Sequence, residues 1–200
     1  MQDWWSYTLS DFLLFSPRTY YRMIERHNER VWPMQLLTMT LGVGILGALR
    51  RPSATQGRII AGILATLWIW VAYAFLLQRY ATINWAIKYV VPLFVLEALL
   101  LVWWGMIQGK MSFAIEAGAR GTIGALLLIL GFILYPGLAS ISGRSWKQAE
   151  VFGITPDPTV LVTIGLVLMT NRRYAWRLLP VPLLWCGITG ATLWAMTTQS

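Results

Sequence analysis

Hydrophobic residues fall into long runs separated by short polar or basic clusters, and the runs are long enough to read as helices crossing a bilayer. The longest, WAIKYVVPLFVLEALLLVWWGMI from Trp85 to Ile107, has one carboxylate near its middle: Glu97, about 18 Å of helix rise beyond Trp85. Further crossings are predicted over 32–49, 59–77, 121–138, 156–170 and 178–196, giving six with 85–107. Pro33 opens the first, which contains Gly42, Gly44 and Gly47; small residues at such spacing let another helix approach. Pro92, five residues before Glu97, predicts a kink in the third, and Tyr135, Pro136 and Gly137 predict a turn closing the fourth. The fifth has only about a dozen residues from Thr159 before Asn171, short of the ~20 needed for a straight crossing. It must start near Pro156 in the headgroup region or be shielded by protein. The fold class is therefore all-α, a polytopic membrane bundle.

Residues 1–31 are too charged to span, and they form a separate amphipathic, interfacial segment ahead of the membrane domain 32–200. Thr8 and Asp11 give a capping-box signal for a short turn, and Ser16 with Pro17 gives an N-cap and first-position proline for a helix. Along that helix Tyr20, Ile24, His27 and Val31 recur on one face, while Arg18, Arg22 and Arg26 form a stripe suited to anionic headgroups or to a partner. The first seventeen residues have no basic leader, and their apolar run is too short for an h-region; no cleavable signal peptide is expected.

At 57% hydrophobic and 12% charged, the chain lies outside the soluble globular range. The net charge of +8 is dispersed among short loops, so lipid headgroups are the expected anionic neighbours and nucleic acid is not. Trp68 and Trp70, two apart on a helix, point to different faces and form no stacking platform. Many of the twelve tryptophans, Trp32 and Trp85 among them, lie near span ends, as rings anchored at headgroup level do. Loops 50–58, 108–120 and 171–177 carry eight Lys/Arg against three in 79–84 and 139–158. The basic loops are therefore expected in the cytoplasm, with both termini and the long 139–158 loop outside.

The runs NERVWPMQLL, GRIIAGILATLWIWVAYAF, FGITPDPTVLVTIGLVLM and WRLLPVPLLWCGITGA resemble a bacterial multi-spanning family labelled domain of unknown function 6064. The most specific pieces are N-x-x-V-W-P (Asn28, Val31, Trp32, Pro33) and F-G-x-x-P-x-P-T (Phe152, Gly153, Pro156, Pro158, Thr159). The resemblance implies an inner-membrane helical bundle, with a cysteine in other members where this chain has Asp157; it implies no activity, substrate or cofactor.

Candidate chemistry is sparse. A carboxylate at mid-membrane costs about 2.5–3.5 kcal/mol, so Glu97 reads as a neutral, hydrogen-bonded structural residue, as a proton or cation site, or as a contact for a partner helix or pigment. Its possible polar neighbours are Gln35, Thr38, Thr40, Tyr73, Thr163 and Thr189. Asp157 reads first as an N-cap, and second as part of a small site under the 139–158 loop with Glu150 and Asn28 or His27. Cys186 is the only cysteine and His27 the only histidine, which leaves no His/Cys metal cluster. His27 reads as an interfacial side chain, although one histidine can ligate a haem or chlorophyll metal. With no nucleophile–base pair, the expectation is a non-enzymatic accessory or scaffold subunit among membrane lipids and other membrane subunits. The alternative is a small permease or channel built on Glu97 and Pro92.

Overall fold

The computed structural model describes residues 15–115, 117–170 and 172–197, and these are helical with no strand among them. The Thr8–Asp11 capping signal lies outside the described residues.

Helix α1, Pro17–Val31, begins as its sequence dictates: the Thr19 amide donates to Ser16 Oγ at 3.3 Å, and proline occupies the first turn. It buries Tyr20, Met23, Ile24, His27 and Asn28, leaving Arg18, Arg22 and Arg26 exposed. Val31, expected on the buried face, is only half-buried. An 86° bend at Trp32–Pro33 leads into α2, Met34–Ala48, so the amphipathic helix runs across the bundle rather than along it.

Three helices are long and apolar enough to cross a membrane, 54–82, 85–107 and 119–141, and the bent α1–α2 pair makes at most a fourth. Six crossings of full length are thus not what the structure presents. Helix α2 has 15 residues, α7, Pro156–Leu168, has 13 and α8, Arg172–Leu178, has 7; α9, Pro180–Thr197, has 18 but is not among the three.

Each long helix widens into a π-helical segment. α3, Ala54–Trp70, continues as Val71–Leu77; α4, Val91–Leu101, continues as Val102–Ile107; and α5, Ala119–Ile129, continues as Leu130–Leu134. Pro92 does not kink an α-helix. It sits in the first turn of α4, where a missing amide is harmless, directly after a 3₁₀ segment Trp85–Tyr89. Pro136 likewise opens α6, Tyr135–Ile141, so the chain stays helical past the predicted turn.

Helix α7 is the centre of the bundle. Almost every residue from Pro156 to Val167 is buried, which resolves its short length: protein, not lipid, surrounds it. It crosses α5 closely where Gly124 and Gly165 meet, and a Cβ on either glycine would lie 2.8 Å from the other's carbonyl oxygen.

Loops gather at two ends. At one, the Gln56 amide bridges Phe113, donating to its carbonyl at 2.9 Å and accepting from its N–H at 3.2 Å. There too the Ala114 amide donates to the Met169 carbonyl, and the Arg120 guanidinium to the Thr170 carbonyl. At the other end lie α1, the turn at Tyr80–Thr82 and the segment 142–155.

Gly165→Ala should destabilise the chain by about 1–3 kcal/mol by forcing α5 and α7 apart. Thermal melting in detergent checks this, with Gly44→Ala, which has open space around it, as the control that should melt no lower than the native chain.

Candidate functional site

The F-G-x-x-P-x-P-T segment folds into a locked corner above α7. Gly153 adopts φ 73°, a left-handed conformation, and its amide donates to Thr159 Oγ1 at 2.7 Å. That hydroxyl in turn donates to the Thr155 carbonyl. Phe152 is fully buried edge-on against Phe132, with ring centroids 4.8 Å apart.

Asp157 is not the N-cap. Thr155 holds that position, and Asp157, in the first turn of α7, aims its carboxylate sideways at two other helices. Its Oδ1 accepts from Trp185 Nε1 at 2.6 Å and from Thr189 Oγ1 at 2.9 Å; its Oδ2 accepts from the Tyr135 hydroxyl at 2.8 Å. Trp185 and Thr189 are four apart on α9 and share a face, so one carboxylate joins α6, α7 and α9.

Glu150 lies above it, buried between Ala149 and Val151, with Oε2 unpartnered among the described residues. Burial first, and the Asp157 carboxylate second, push the Glu150 carboxyl well above the usual carboxylate range, while Arg144 opposes them. Arg144 itself stacks 4.0 Å over the Tyr21 ring. The Asp157 charge thus favours a proton on Glu150 over two buried charges side by side.

Asn28 acts on the loop's backbone. Its Nδ2 donates to the carbonyls of Lys147 and Ala149, each at 2.8 Å, and the Gln35 amide donates back to the Asn28 carbonyl at 2.9 Å. Lys147 pairs with Glu29 at 2.7 Å, and Gln148 donates to Glu25. His27 stands apart, edge-on to Phe75 at 5.2 Å and facing a groove shared with Arg79. Burial, with Arg79 adding to it, takes its imidazole down to about 4.

Glu97 is fully buried, yet both oxygens lack a hydrogen-bond partner among the described residues, so the hydrogen-bonded reading is corrected. Its expected neighbours serve elsewhere. Thr189 bonds Asp157, Thr163 accepts from Trp68 Nε1 at 2.9 Å, and Gln35, Thr38 and Thr40 bond backbone carbonyls. Tyr73 is exposed. One turn before Glu97, Phe94 packs between Trp68 and Trp185, with ring centroids at 4.5 and 5.1 Å. Arg18, Arg22, Arg26, Trp32 and Trp85 are all exposed, and Arg22 and Arg26 border a shallow groove with Arg79.

Tyr135, Trp185 and Gln56 were not anticipated. The available signal was the Trp185–Thr189 spacing, which sets two donors on one face of an otherwise apolar helix.

The family model described as Family of unknown function (DUF6064) matches residues 18–198, and the chain belongs to that family. No curated protein and no solved structure matches it.

Asp157→Ala would strand three donors and should destabilise by about 3–5 kcal/mol, whereas Trp185→Phe, removing one donor, should cost about 1–2 kcal/mol, both read by thermal melting. The fold favours a protonated Glu150, so its support for stability is complete below the ordinary glutamate value and fades as pH rises toward its raised folded value. The Tm of Glu150→Gln should therefore gain on that of the native chain as pH goes from about 4 to 8; a constant gap would overturn this.

Proposed function

We propose that this DUF6064 member is a non-catalytic accessory or scaffold subunit of the bacterial inner membrane. It threads the bilayer six times, with α7 crossing inside a protein sheath, and packs laterally against a transmembrane helix of another membrane protein and against lipid. The observation that carries the reading is the outward face of α2. Of its glycines, Gly42 packs inward against Phe132, but a Cβ on Gly44 or Gly47 would meet nothing within 4 Å. Thr40, Val43 and Leu46 beside them are exposed. Such a face, apolar and relieved by small residues, is what a second membrane helix packs into. The basic loops are read as cytoplasmic and the termini as periplasmic.

One observation favours a second reading, a small permease or channel. Glu97 is a fully buried acid whose two oxygens have no partner among the described residues, on a helix opened by Pro92. Liposome flux lost in Glu97→Gln would support it.

A photo-crosslinking residue at Val43 in native membranes should capture one protein at a defined size, and Gly44→Leu with Gly47→Leu should abolish that product. The double variant should melt no lower than the native chain, since both glycines lie within a helix and have open space around them. Crosslinks to lipid alone would overturn the scaffold reading. Cysteines at Ser53 and Gln148 should label from opposite faces of the membrane.

A further inference from the structure

The acids and the arginines of α1 are used in different ways. Glu25 and Glu29 lie three residues after Arg22 and Arg26, a spacing at which a helix ordinarily pairs opposite charges. Here both acids turn to the 142–155 segment instead: Glu25 accepts from the Gln148 amide at 3.0 Å, and Glu29 from Lys147 at 2.7 Å. Arg22, Arg26 and Arg30 follow one another at spacings of four and are exposed. None of their guanidinium groups has a hydrogen bond or ion pair among the described residues.

Arg79 meets them from the end of the second long helix, and its guanidinium is equally without a bonded partner among the described residues. It lines two grooves. One, of about 290 Å³, is lined also by Arg22, Arg26, Thr19 and Thr82; the other, of about 440 Å³, by Arg30, Trp70 and Tyr73. No described acid lines either of them. Four like charges around two grooves repel one another unless anions sit among them. Because the three arginines of α1 are exposed and held by no other group, an anion in the grooves meets them without any buried atom being uncovered.

The planar fork of a guanidinium matches the oxygens of a phosphate in pairs, so each groove offers a seat for one phosphate. Two seats that share Arg79 fit two phosphates joined by a short bridge. An apolar path leads away from them. Four residues before Tyr73 on the same helix, Ile69 lines an apolar groove of about 750 Å³ that continues along Thr66 and Gly62, with Leu99 opposite.

We propose that this face binds a diphosphatidylglycerol lipid. One phosphate lies among Arg22, Arg26 and Arg79, the other between Arg79 and Arg30, and an acyl chain follows the groove along α3. The inference rests on the bilayer placement of the reading above, in which the cross-running α1 lies at headgroup level. It needs no protein partner, so a lost Val43 crosslink would leave it standing.

The test is native mass spectrometry of the full chain in detergent, offered equal amounts of diphosphatidylglycerol, phosphatidylglycerol and phosphatidylethanolamine. Diphosphatidylglycerol should be retained at least about tenfold over phosphatidylglycerol, because its second phosphate binds at the effective concentration set by the first. Arg30→Gln should remove most of that preference while leaving phosphatidylglycerol retention within about twofold, and Arg22→Gln with Arg26→Gln should lower retention of both. All three arginines are exposed, so these variants fold. Arg51→Gln, which removes the same charge from an exposed position at the opposite end, should keep the preference. Equal retention of the two anionic lipids, a loss in Arg51→Gln matching that in Arg30→Gln, or displacement of the lipid by millimolar inorganic pyrophosphate would overturn the proposal.

Discussion

A carboxylate held among apolar helices must be met by donors, and at Asp157 three are delivered by helices far apart in sequence. The phenol of Tyr135 arrives on α6, and the indole and hydroxyl of Trp185 and Thr189 arrive on α9. Charge-assisted bonds of this kind are about twice as strong as neutral ones and directional, so they fix rotation and depth where dispersion contacts alone would permit sliding. The close α5–α7 crossing at Gly124 and Gly165 and the locked corner at Gly153 both depend on α7 being held at that depth.

The two deeply placed acids are treated in opposite ways. Asp157 is saturated with donors and built into the packing, whereas Glu97 is enclosed with neither oxygen answered among the described residues. Glu150 lies between these cases: it is buried and unpartnered at one oxygen among the described residues, and burial first, then the Asp157 charge, favour its protonated form against Arg144. A saturated acid serves the architecture.

Much of the architecture was legible from run length. The three long helices and the amphipathic α1 with its Ser16 cap follow from local pattern, which needs no knowledge of partners. The prolines misled because their effect depends on what precedes them: at Pro92 and Pro136 a 3₁₀ or π-helical stretch already broke the ladder, so a new α-helix starts where a kink or turn was expected. Of the six crossings three or four are long and apolar enough; the shortness of α7 and its shielding by protein were already open in its sequence, whereas the 15-residue length of α2 was not. At the site, the Asp157–Glu150 neighbourhood could be guessed from one loop, but no local rule pairs Asp157 with Tyr135 behind it and Trp185 ahead of it. Likewise nothing local keeps Gln35 from Glu97, yet its amide belongs to the clasp on Asn28.

The burial of α7 also constrains how the chain is made. A thirteen-residue helix led by an acid is a poor substrate for solitary partition into lipid, and two of the three donors that neutralise its cost are synthesised later, on α9. The carboxylate of α7 therefore has its full set of donors only once α9 has joined the bundle. A chain cut before residue 185 would keep the α5–α7 crossing at Gly124 and Gly165 but leave Asp157 with the Tyr135 hydroxyl alone of its three donors.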